Sequence, residues 1–390
     1  MPTIERNFIT PPDIDVDTTS DVATEEMLVN MGPQHPSTHG VLRLVLRTDG
    51  EMVLEAVPHI GYLHRCAEKI GENLAYFQYV PYTDRMDYLA GMNNNVGWCL
   101  TVEKLAKLEI PRRAQYIRVI MCELNRIASH LVSMGAYGMD MGAFTPFLYA
   151  FREREFILDL FEAACGARLT YSYATIGGLT HDLTPQWIEK CREFLDYFEP
   201  KITEYDQLLS FNHIFVKRTA NIGILPKDLA LSYCITGPML RGSGIPWDLR
   251  RKKPYLVYDE LEFDIPVGDG RIGSLGDAWD RYFVRIQEMR QSIRILRQAL
   301  DRIPGGQHRI ALPRVFKIPP GEIYMETEGA RGQLGFYIES HGGPIPYRVK
   351  ARGPSFCNLS IAHELCRDCL LADVPAIIGS IDIVMGETDR

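Results

Sequence analysis

The sequence has no run of about 18 apolar residues, the shortest stretch from which a membrane-spanning helix is usually built. Residues 1–30 also lack the apolar core of a secretory signal and are rich in acidic side chains instead. We therefore expect neither a transmembrane helix nor a secretory signal. Any contact with a membrane should go through a partner.

Basic residues are also fewer than acidic residues. The 390 residues include 42 Lys and Arg against 50 Asp and Glu, which gives a net charge of −8. Because general nucleic-acid binding relies on a basic surface, this balance argues against such a role. The hydrophobic fraction of 46% is ordinary for a globular protein and is enough for a large core.

The nine cysteines are odd in number and irregularly spaced, which favours reduced thiols in a cytoplasmic setting over a disulfide framework. Cys366 and Cys369 form the one close pair, with the spacing C-x-x-C. No second pair lies nearby. We therefore interpret them as two thiols on adjacent turns of a helix, in preference to a metal site.

Several familiar catalytic motifs are missing, including G-x-S-x-G, the Walker loop and H-E-x-x-H. Residues 268–273 match G-x-G-x-x-G, but the helix predicted after them ends in Pro304-Gly-Gly. A dinucleotide-binding fold needs a second strand at that point. We therefore do not interpret this match as a nucleotide site.

The most unusual stretch that is present covers residues 31–40, with two histidines, two prolines and two glycines. Proline removes backbone donors and disfavours helical angles in the residue before it. We expect a stiff loop that fixes the directions of His35 and His39, a placement typical of binding or catalytic groups. The spacing also allows a simpler interpretation, in which both histidines only satisfy backbone groups of the loop.

A β-hairpin should follow this loop directly. Residues 41–46 read as a strand, 48–51 contain an Asp-Gly turn, and 52–57 read as the returning strand. Two further short strands are predicted at 335–339 and 347–350.

The strongest helical periodicity runs through residues 117–131, where apolar residues recur every three to four positions. Glu123, Arg126 and His130 fall on the other face of this helix. We predict that this face is exposed to solvent or to another subunit.

Glycine and aspartate residues predict two further helix boundaries. The glycine-rich stretch 135–142 should end the long helix and leave Asp140 in a loop. A helix over 81–107 should begin with Asp84 and Asp87 in a capping arrangement. Other helices are predicted in a short segment ending near residue 72 and at 147–167, 185–211, 226–236, 275–303 and 356–371.

Together these segments predict a predominantly helical α+β chain with peripheral β hairpins. We divide it into an extended arm, 1–30, and one domain, 31–390. The domain is subdivided into a β-hairpin region at 31–60, a helical core at 61–303, a partly β segment at 305–350, and a C-terminal helix and tail at 355–390.

Five separated motifs carry a resemblance to a known family. In chain order they are Gly-Pro-Gln-His-Pro-Ser-Thr-His-Gly (32–40), Gly-Tyr-Leu-His-Arg (61–65), Pro-Tyr-Thr-Asp-Arg-Met-Asp-Tyr (81–88), Phe-Arg-Glu-Arg-Glu (151–155) and Gly-Ser-Ile-Asp-Ile-Val-Met-Gly-Glu-Thr-Asp-Arg (379–390). From about residue 28 onward, the chain resembles the D subunits of bacterial NADH:quinone oxidoreductase, respiratory complex I. The resemblance implies a fold like that of the large subunit of nickel–iron hydrogenases.

Hydrogenase large subunits hold their metals with two C-x-x-C pairs. The resemblance aligns Asp87, Ala90, Val384 and Glu387 with those four thiolate positions, and none of them is a cysteine. Soft thiolates are the ligands that such a metal site requires. The resemblance therefore implies a cavity that holds no metal and serves as the headgroup end of a quinone channel.

Within that channel, the resemblance assigns quinone chemistry to His39, Tyr88 and Asp140. A quinone that accepts two electrons also takes up two protons, and a tyrosine hydroxyl and an imidazole can supply them. Asp140 would be the partner of His39. His35 would shape the loop beside the quinone. Arg65 would lie close to the iron–sulfur cluster of a neighbouring subunit, where its charge would raise the cluster potential.

The resemblance also implies what the chain works with. Quinone, either ubiquinone or menaquinone, is the substrate, and the chain alone binds no cofactor. A 4Fe–4S cluster belongs to an adjacent B-type subunit, and NAD and FMN bind elsewhere in the complex. The C-type subunit and the membrane-arm H-type subunit are further partners. The expected location is peripheral, on the cytoplasmic side of the inner membrane.

Two other interpretations remain open from the sequence. The chain could be a purely structural subunit of the same assembly, or a hydrogenase-type metal subunit, which the four missing thiolates disfavour. A scaffold should tolerate loss of the His39 imidazole or the Tyr88 hydroxyl, whereas a quinone site should not.

Overall fold

The computed structural model describes residues 26–35, 37, 39–313 and 315–390. Most of the predicted arm, 1–30, lies outside the described residues. Its last part belongs to strand β1 (Glu26–Met31), so the expected boundary at residue 30 falls inside a strand.

A four-stranded antiparallel sheet, with β1 at one edge, is built around the predicted hairpin. Strands β2 (Arg43–Asp49) and β3 (Met52–His59) pair with each other, and the short β9 (Cys369–Leu370) pairs with the start of β3. Leu44 and Leu46 alternate with partly exposed residues and are fully buried, as the period of two in a half-buried strand requires. The hairpin prediction is confirmed.

The centre of the helical core is the long helix α4 (Arg112–Asp140), which packs against α5 (Phe144–Cys165) and α11 (Ala278–Arg302). The apolar stripe predicted on α4, from Ile117 to Leu131, is buried throughout. Burial of this stripe between two neighbouring helices is what stabilises α4 as a helix.

The prediction that the charged face of α4 is exposed is wrong. Glu123, Arg126 and His130 are all fully buried. Glu123 pairs with Arg250 at 3.0 Å and with Arg126 at 3.4 Å, and His130 Nε2 lies 2.9 Å from Glu288. Charges survive burial when partners compensate for lost hydration, and two of these partners come from distant parts of the chain.

Helix α4 also continues through the predicted glycine break. Gly135 and Gly138 lie inside the helix and Asp140 is its last residue, so the prediction of Asp140 in a loop is wrong. A Cβ atom added to Gly135 would lie 3.3 Å from Phe147, and one added to Gly138 would lie 3.1 Å from Leu209. The glycines thus allow close packing, which outweighs the roughly 1 kcal/mol that each costs a helix.

The helix predicted over 81–107 is interrupted, so this prediction is wrong. Its two parts are α2 (Val80–Asp84) and α3 (Gly91–Leu105), and Asp87 lies in the break between them. The Asp84 carboxylate caps no helix but accepts hydrogen bonds from the backbone N and Oγ of Ser172, at 2.8 and 2.7 Å.

A second antiparallel sheet lies on α3 and consists of β6 (Gly321–Glu328), β7 (Gln333–Ser340) and β8 (Arg348–Arg352). The two strands predicted in this region are confirmed as β7 and β8, whereas β6 was not predicted. A third, two-stranded pair consists of β4 (Ala174–Thr175) and β5 (Gly178–Leu179).

The predicted helices at 147–167, 185–211, 226–236 and 275–303 are confirmed to within a few residues, and the fold is mixed α+β as expected. None of the helices in the described part of the chain is both long and apolar enough to cross a bilayer. The helices not yet named are α1 (Ala67–Gly71), α6 (Pro185–Tyr205) with a π-helical extension (Asp206–Ser210), α7 (His213–Thr219), α8 (Lys227–Ser232), α9 (Pro238–Gly242), α10 (Leu249–Lys252), α12 (Pro354–Leu359), α13 (Ala362–Leu365), α14 (Val374–Ile381) and α15 (Met385–Asp389).

A single helix over 356–371 is not observed, so this prediction is wrong. The segment contains α12 and α13, and the chain then turns into β9. Cys366 lies in that turn and Cys369 lies in the strand, so the two thiols are not on adjacent helical turns. The turn brings β9 alongside β3, where the two strands pair.

Candidate functional site

His39 and Asp140 meet although 101 residues separate them in the chain. His39 Nε2 lies 2.6 Å from Asp140 Oδ2, and the two side chains are 13% and 4% exposed. The contact joins the loop between β1 and β2 to the C-terminal end of α4. The structure therefore brings together two of the three residues to which the resemblance assigns quinone chemistry.

Tyr88 lies in the break between α2 and α3 and is half-buried. Burial raises the pKa of its hydroxyl, while the positive charge of Arg331 works in the opposite direction. The carboxylates of Asp87 and Asp382 raise the pKa further. The Tyr88 hydroxyl therefore keeps its proton at neutral pH and can donate it to an acceptor that becomes strongly basic.

The C-terminal helix α15 lies between the His39 loop and the Tyr88 segment. A Cβ atom added to Gly40 would lie 3.5 Å from Met385 Cγ. One added to Gly386 would lie 2.6 Å from the carbonyl oxygen of Met86 and 3.4 Å from the ring of Tyr88. Two consecutive residues of the tail, Met385 and Gly386, thus contact both sides of the candidate site.

A buried arginine lies next to Tyr88, and sequence reasoning did not single it out. Arg331 donates to Asp87 at 2.8 Å and to Asp382 at 3.3 Å, and Asp382 also lies 3.5 Å from Arg285. Burial alone would lower the pKa of Arg331, but the carboxylates of Asp382 and Asp87 more than offset it and raise the pKa. Arg331 belongs to a glycine-flanked turn between β6 and β7 whose local sequence carries no signal for this role.

Glu387 is the most perturbed acid in this neighbourhood. It is only 2% exposed and accepts hydrogen bonds from the backbone N and Oγ of Ser355. Burial and the nearby charge of Asp87 raise its pKa from 4.5 to about 7, although the bonds from Ser355 and the charge of Arg331 oppose the shift. Glu387 can therefore hold a proton near neutral pH, which an exposed carboxyl cannot.

The four positions that the resemblance aligned with hydrogenase thiolates, Asp87, Ala90, Val384 and Glu387, are all buried. Their side chains offer two hard carboxylates, one already paired with Arg331 and one hydrogen-bonded to Ser355, and two apolar groups. This donor set does not fit a nickel–iron centre, which requires soft thiolates. Within the described ranges, no group of three or more His, Cys, Asp or Glu side chains is arranged to hold a metal ion.

His35 and Arg65 are both exposed, in contrast to the residues above. His35 Nδ1 accepts a hydrogen bond of 3.2 Å from the backbone N of Ser37, which fits a residue that shapes its loop. The Arg65 guanidinium donates to the carbonyl oxygen of Arg85, just before the Tyr88 segment. Arg65 therefore presents a positive charge at the surface next to this segment.

Comparison with known proteins identifies the relatives of this chain. A model of the family described as "Respiratory-chain NADH dehydrogenase, 49 Kd subunit" matches residues 140–316 and 307–390. Over 374 residues, the chain is 54% identical to the D subunit of the NADH-quinone oxidoreductase of Chlorobium luteolum, and the alignment covers 95% of this chain and 95% of that protein.

Two further relatives show similar sequence identity and coverage. The corresponding D subunit of Chlorobium phaeobacteroides is 55% identical over 95% of this chain and 94% of its own. That of Chlorobaculum tepidum is 54% identical with the same coverage. The similarity therefore extends over nearly the whole of each chain and is not confined to the residues of the candidate site.

Proposed function

We propose a function from the premise that this chain belongs to the family of respiratory-chain NADH dehydrogenase 49-kDa subunits, the D subunits of NADH-quinone oxidoreductase. It is therefore a subunit of an oxidoreductase complex, respiratory complex I, and the other subunits of that complex are its partners. Within the complex, its proposed role is to form the site at which quinone is reduced.

Quinone reduction sets clear demands on such a site. Addition of two electrons makes both quinone oxygens basic, and each must receive a proton. In the proposal, the Tyr88 hydroxyl and the His39 imidazole supply these protons, and Asp140 is the partner that orients His39. His35 shapes the loop that presents His39 to the quinone.

The His39–Asp140 contact is the observation that carries this proposal. A 2.6 Å hydrogen bond between two largely shielded side chains fixes the direction of the His39 imidazole. The loop that carries His39 also contacts Met385 of α15, and the next residue, Gly386, lies next to the Tyr88 ring. This arrangement supports a common site for the two proposed proton donors.

The electrons are proposed to come from a 4Fe–4S cluster in an adjacent B-type subunit, with Arg65 facing that subunit. Arg65 is exposed, and its charge is therefore available to a neighbouring subunit.

The C-type subunit and the membrane-arm H-type subunit are proposed as further neighbours. NAD and FMN would bind elsewhere in the complex, and the chain would be peripheral on the cytoplasmic side of the inner membrane. We also propose the hydrogenase-large-subunit-like architecture for the helical core.

The alternatives make different demands on the same residues. A hydrogenase-type subunit would need soft metal ligands at Asp87, Ala90, Val384 and Glu387, which have none. A purely structural subunit would need no proton donor beside the tail. The Tyr88 hydroxyl distinguishes the scaffold from the quinone site, because its removal changes one oxygen atom and little of the packing.

The experiment is Tyr88→Phe in the host, followed by isolation of membranes. NADH oxidation with quinone is compared with NADH oxidation by an artificial acceptor that takes electrons upstream at the flavin. We expect quinone-linked activity to fall by more than about tenfold, within the range that a lost proton donor costs. The artificial-acceptor rate should stay unchanged.

The matched control is Tyr347→Phe, which removes a hydroxyl from a tyrosine that is 60% exposed. It should leave both rates unchanged. Unchanged rates in Tyr88→Phe as well would contradict the quinone-site proposal and favour the scaffold. Loss of both rates would indicate failed assembly, and the amount of this subunit in the membranes would reveal it.

A further inference from the structure

The C-x-x-C pair lies on the turn that leads from α13 into β9. Cys366 is fully buried, and Cys369 is half-buried. The turn is anchored on both sides, because the backbone N of Asp368 donates to the carbonyl oxygen of Val53 at 2.8 Å and Cys369 pairs with Val53 in the sheet. The pair is thus part of a firm structure and not of a loose surface loop.

The two cysteines lie close together on this turn, because Cys369 Sγ donates to the carbonyl oxygen of Cys366 at 3.1 Å. The hydrogen bond from Cys366 lowers the pKa of Cys369, even though burial and the charges of Asp373 and Asp368 oppose the effect. The same bond, together with burial, raises the pKa of Cys366.

Cys369 also borders an open space. It lines a cavity of about 340 Å³ together with Met52 of β3 and Asn221 of the segment after α7. A cavity of this size can admit a small organic molecule, whereas the Cys366 side chain is fully buried and does not line the cavity. One thiol is therefore accessible to a reagent and the other is accessible only to its neighbour.

We propose that Cys366 and Cys369 form a thiol–disulfide exchange site that reacts with small organic disulfides, with Cys369 as the attacking thiol and Cys366 as the resolving thiol. This role is separate from quinone reduction, and it does not depend on the function proposed above. It assigns chemistry to a pair that the sequence alone suggested was structural.

The reaction consists of two exchanges. The Cys369 thiolate attacks one sulfur of a disulfide R–S–S–R, forms a mixed disulfide and releases R–S⁻. Cys366 then loses its proton and attacks the Cys369 sulfur, which releases the second R–S⁻. Both thiol protons end on the released thiolates. The protein gains one disulfide, and the reagent is reduced to two molecules of R–SH.

Four other cysteines of the chain lack these features. Cys99, Cys122 and Cys191 are buried, and burial raises the pKa of each thiol. Cys234 is exposed but is not close in sequence to a second cysteine. It therefore serves as an internal reference for simple exposure.

The test uses the purified complex and cystamine, a small disulfide. After reaction, free thiols are blocked with N-ethylmaleimide and the protein is denatured and digested with trypsin. Trypsin cleaves after Arg367, so a Cys366–Cys369 bond joins the peptides 353–367 and 368–390. We expect this linked pair to form with cystamine and to vanish after dithiothreitol. Cys357, in the same first peptide, should carry the maleimide.

Variants separate the two roles. In Cys366→Ser, the reaction should stop at a cysteamine adduct on Cys369. In Cys369→Ser, Cys366 should remain unmodified, and Cys234→Ser should leave the linked pair unchanged. Absence of the linked pair in the unaltered complex would overturn the proposal. So would the absence of a cysteamine adduct on Cys369 in Cys366→Ser.

Discussion

The Asp140 carboxylate holds the His39 imidazole at the candidate site, at 2.6 Å and with 4% of the Asp140 side chain exposed. A hydrogen bond to a charged group contributes about 1.5–3 kcal/mol. Asp140→Asn keeps the shape and removes the charge. We expect quinone-linked NADH oxidation to fall by about tenfold to hundredfold, with an unchanged artificial-acceptor rate.

Asp196→Asn is the matched control for this change, because Asp196 pairs with Arg297 at an exposed site. It should alter neither rate. The amount of this subunit in the membranes supplies a second readout, because a defect of packing would lower it. Equal quinone-linked activity in Asp140→Asn and the parent would contradict the role of Asp140.

Glu387 gives a prediction about stability and pH. The folded chain raises its pKa from 4.5 to about 7, so the folded state binds this proton more tightly than the unfolded state does. The associated stability is present below pH 4.5 and is lost as the pH rises through about 7. The loss is on the order of 3 kcal/mol. Glu387→Gln should remove this pH dependence.

The measurement is the temperature at which this subunit becomes insoluble when the purified complex is heated, followed between pH 4.5 and about 7. The parent should lose thermal stability over this range and Glu387→Gln should lose less. Glu109→Gln, at an exposed position, should behave like the parent. A variant with the full pH dependence of the parent would show that Glu387 is ionised throughout.

At the scale of elements, α15 matters because it fills the space between the His39 loop and the Tyr88 segment. Gly386 fits there only because it has no Cβ atom, since an added Cβ would lie 2.6 Å from the backbone oxygen of Met86. Gly386→Ala must therefore shift α15 or the Tyr88 segment. Displacement of about 1 Å can cost on the order of a hundredfold in rate.

We accordingly expect Gly386→Ala to reduce quinone-linked activity by about tenfold to hundredfold with normal assembly. Gly305→Ala is the control, because nothing lies within 4 Å of a Cβ atom added at Gly305. The comparison uses the same two NADH oxidation rates as above. Normal quinone-linked activity in Gly386→Ala would mean that α15 does not position Tyr88.

Elements also differ in how far local sequence determines them. The hairpin β2–β3 follows from alternating apolar residues and an Asp-Gly turn, both local signals. The end of α4 does not, because Gly135 and Gly138 are helix breakers in isolation. They remain helical because Phe147 and Leu209 pack closely against them.

At the scale of the whole molecule, the chain is one part of a larger catalytic assembly. In the proposal, the quinone site takes its electrons from a neighbouring subunit and shares its channel with other subunits. We therefore expect the isolated chain to show no NADH:quinone turnover. Adding the chain back to a complex depleted of it should restore turnover.

This prediction is checked by NADH oxidation with quinone for the isolated chain, the depleted complex and the reconstituted complex. The isolated Tyr88→Phe chain should assemble as well as the parent but restore little turnover. Turnover by the isolated chain would contradict the proposal that a neighbouring subunit supplies the electrons.

Local patterns along the chain were sufficient for the mixed α+β class, the hairpin, the long helices and the family. These features depend on periodicity, turn residues and motifs, which act within a few residues of one another. The motifs also supplied the residue types at His39, Tyr88 and Asp140, because they resemble those of known relatives.

Only the tertiary structure shows which charged helix faces are buried and which residues from distant parts of the chain come together. Glu123 is buried because Arg250, which is 127 positions away, pairs with it, and Arg331 reaches Asp87 across 244 positions. Periodicity marks the charged face of a helix but cannot report whether a partner charge will arrive there. Compensation of buried charge is a property of the folded chain, since it depends on segments that approach one another only after folding.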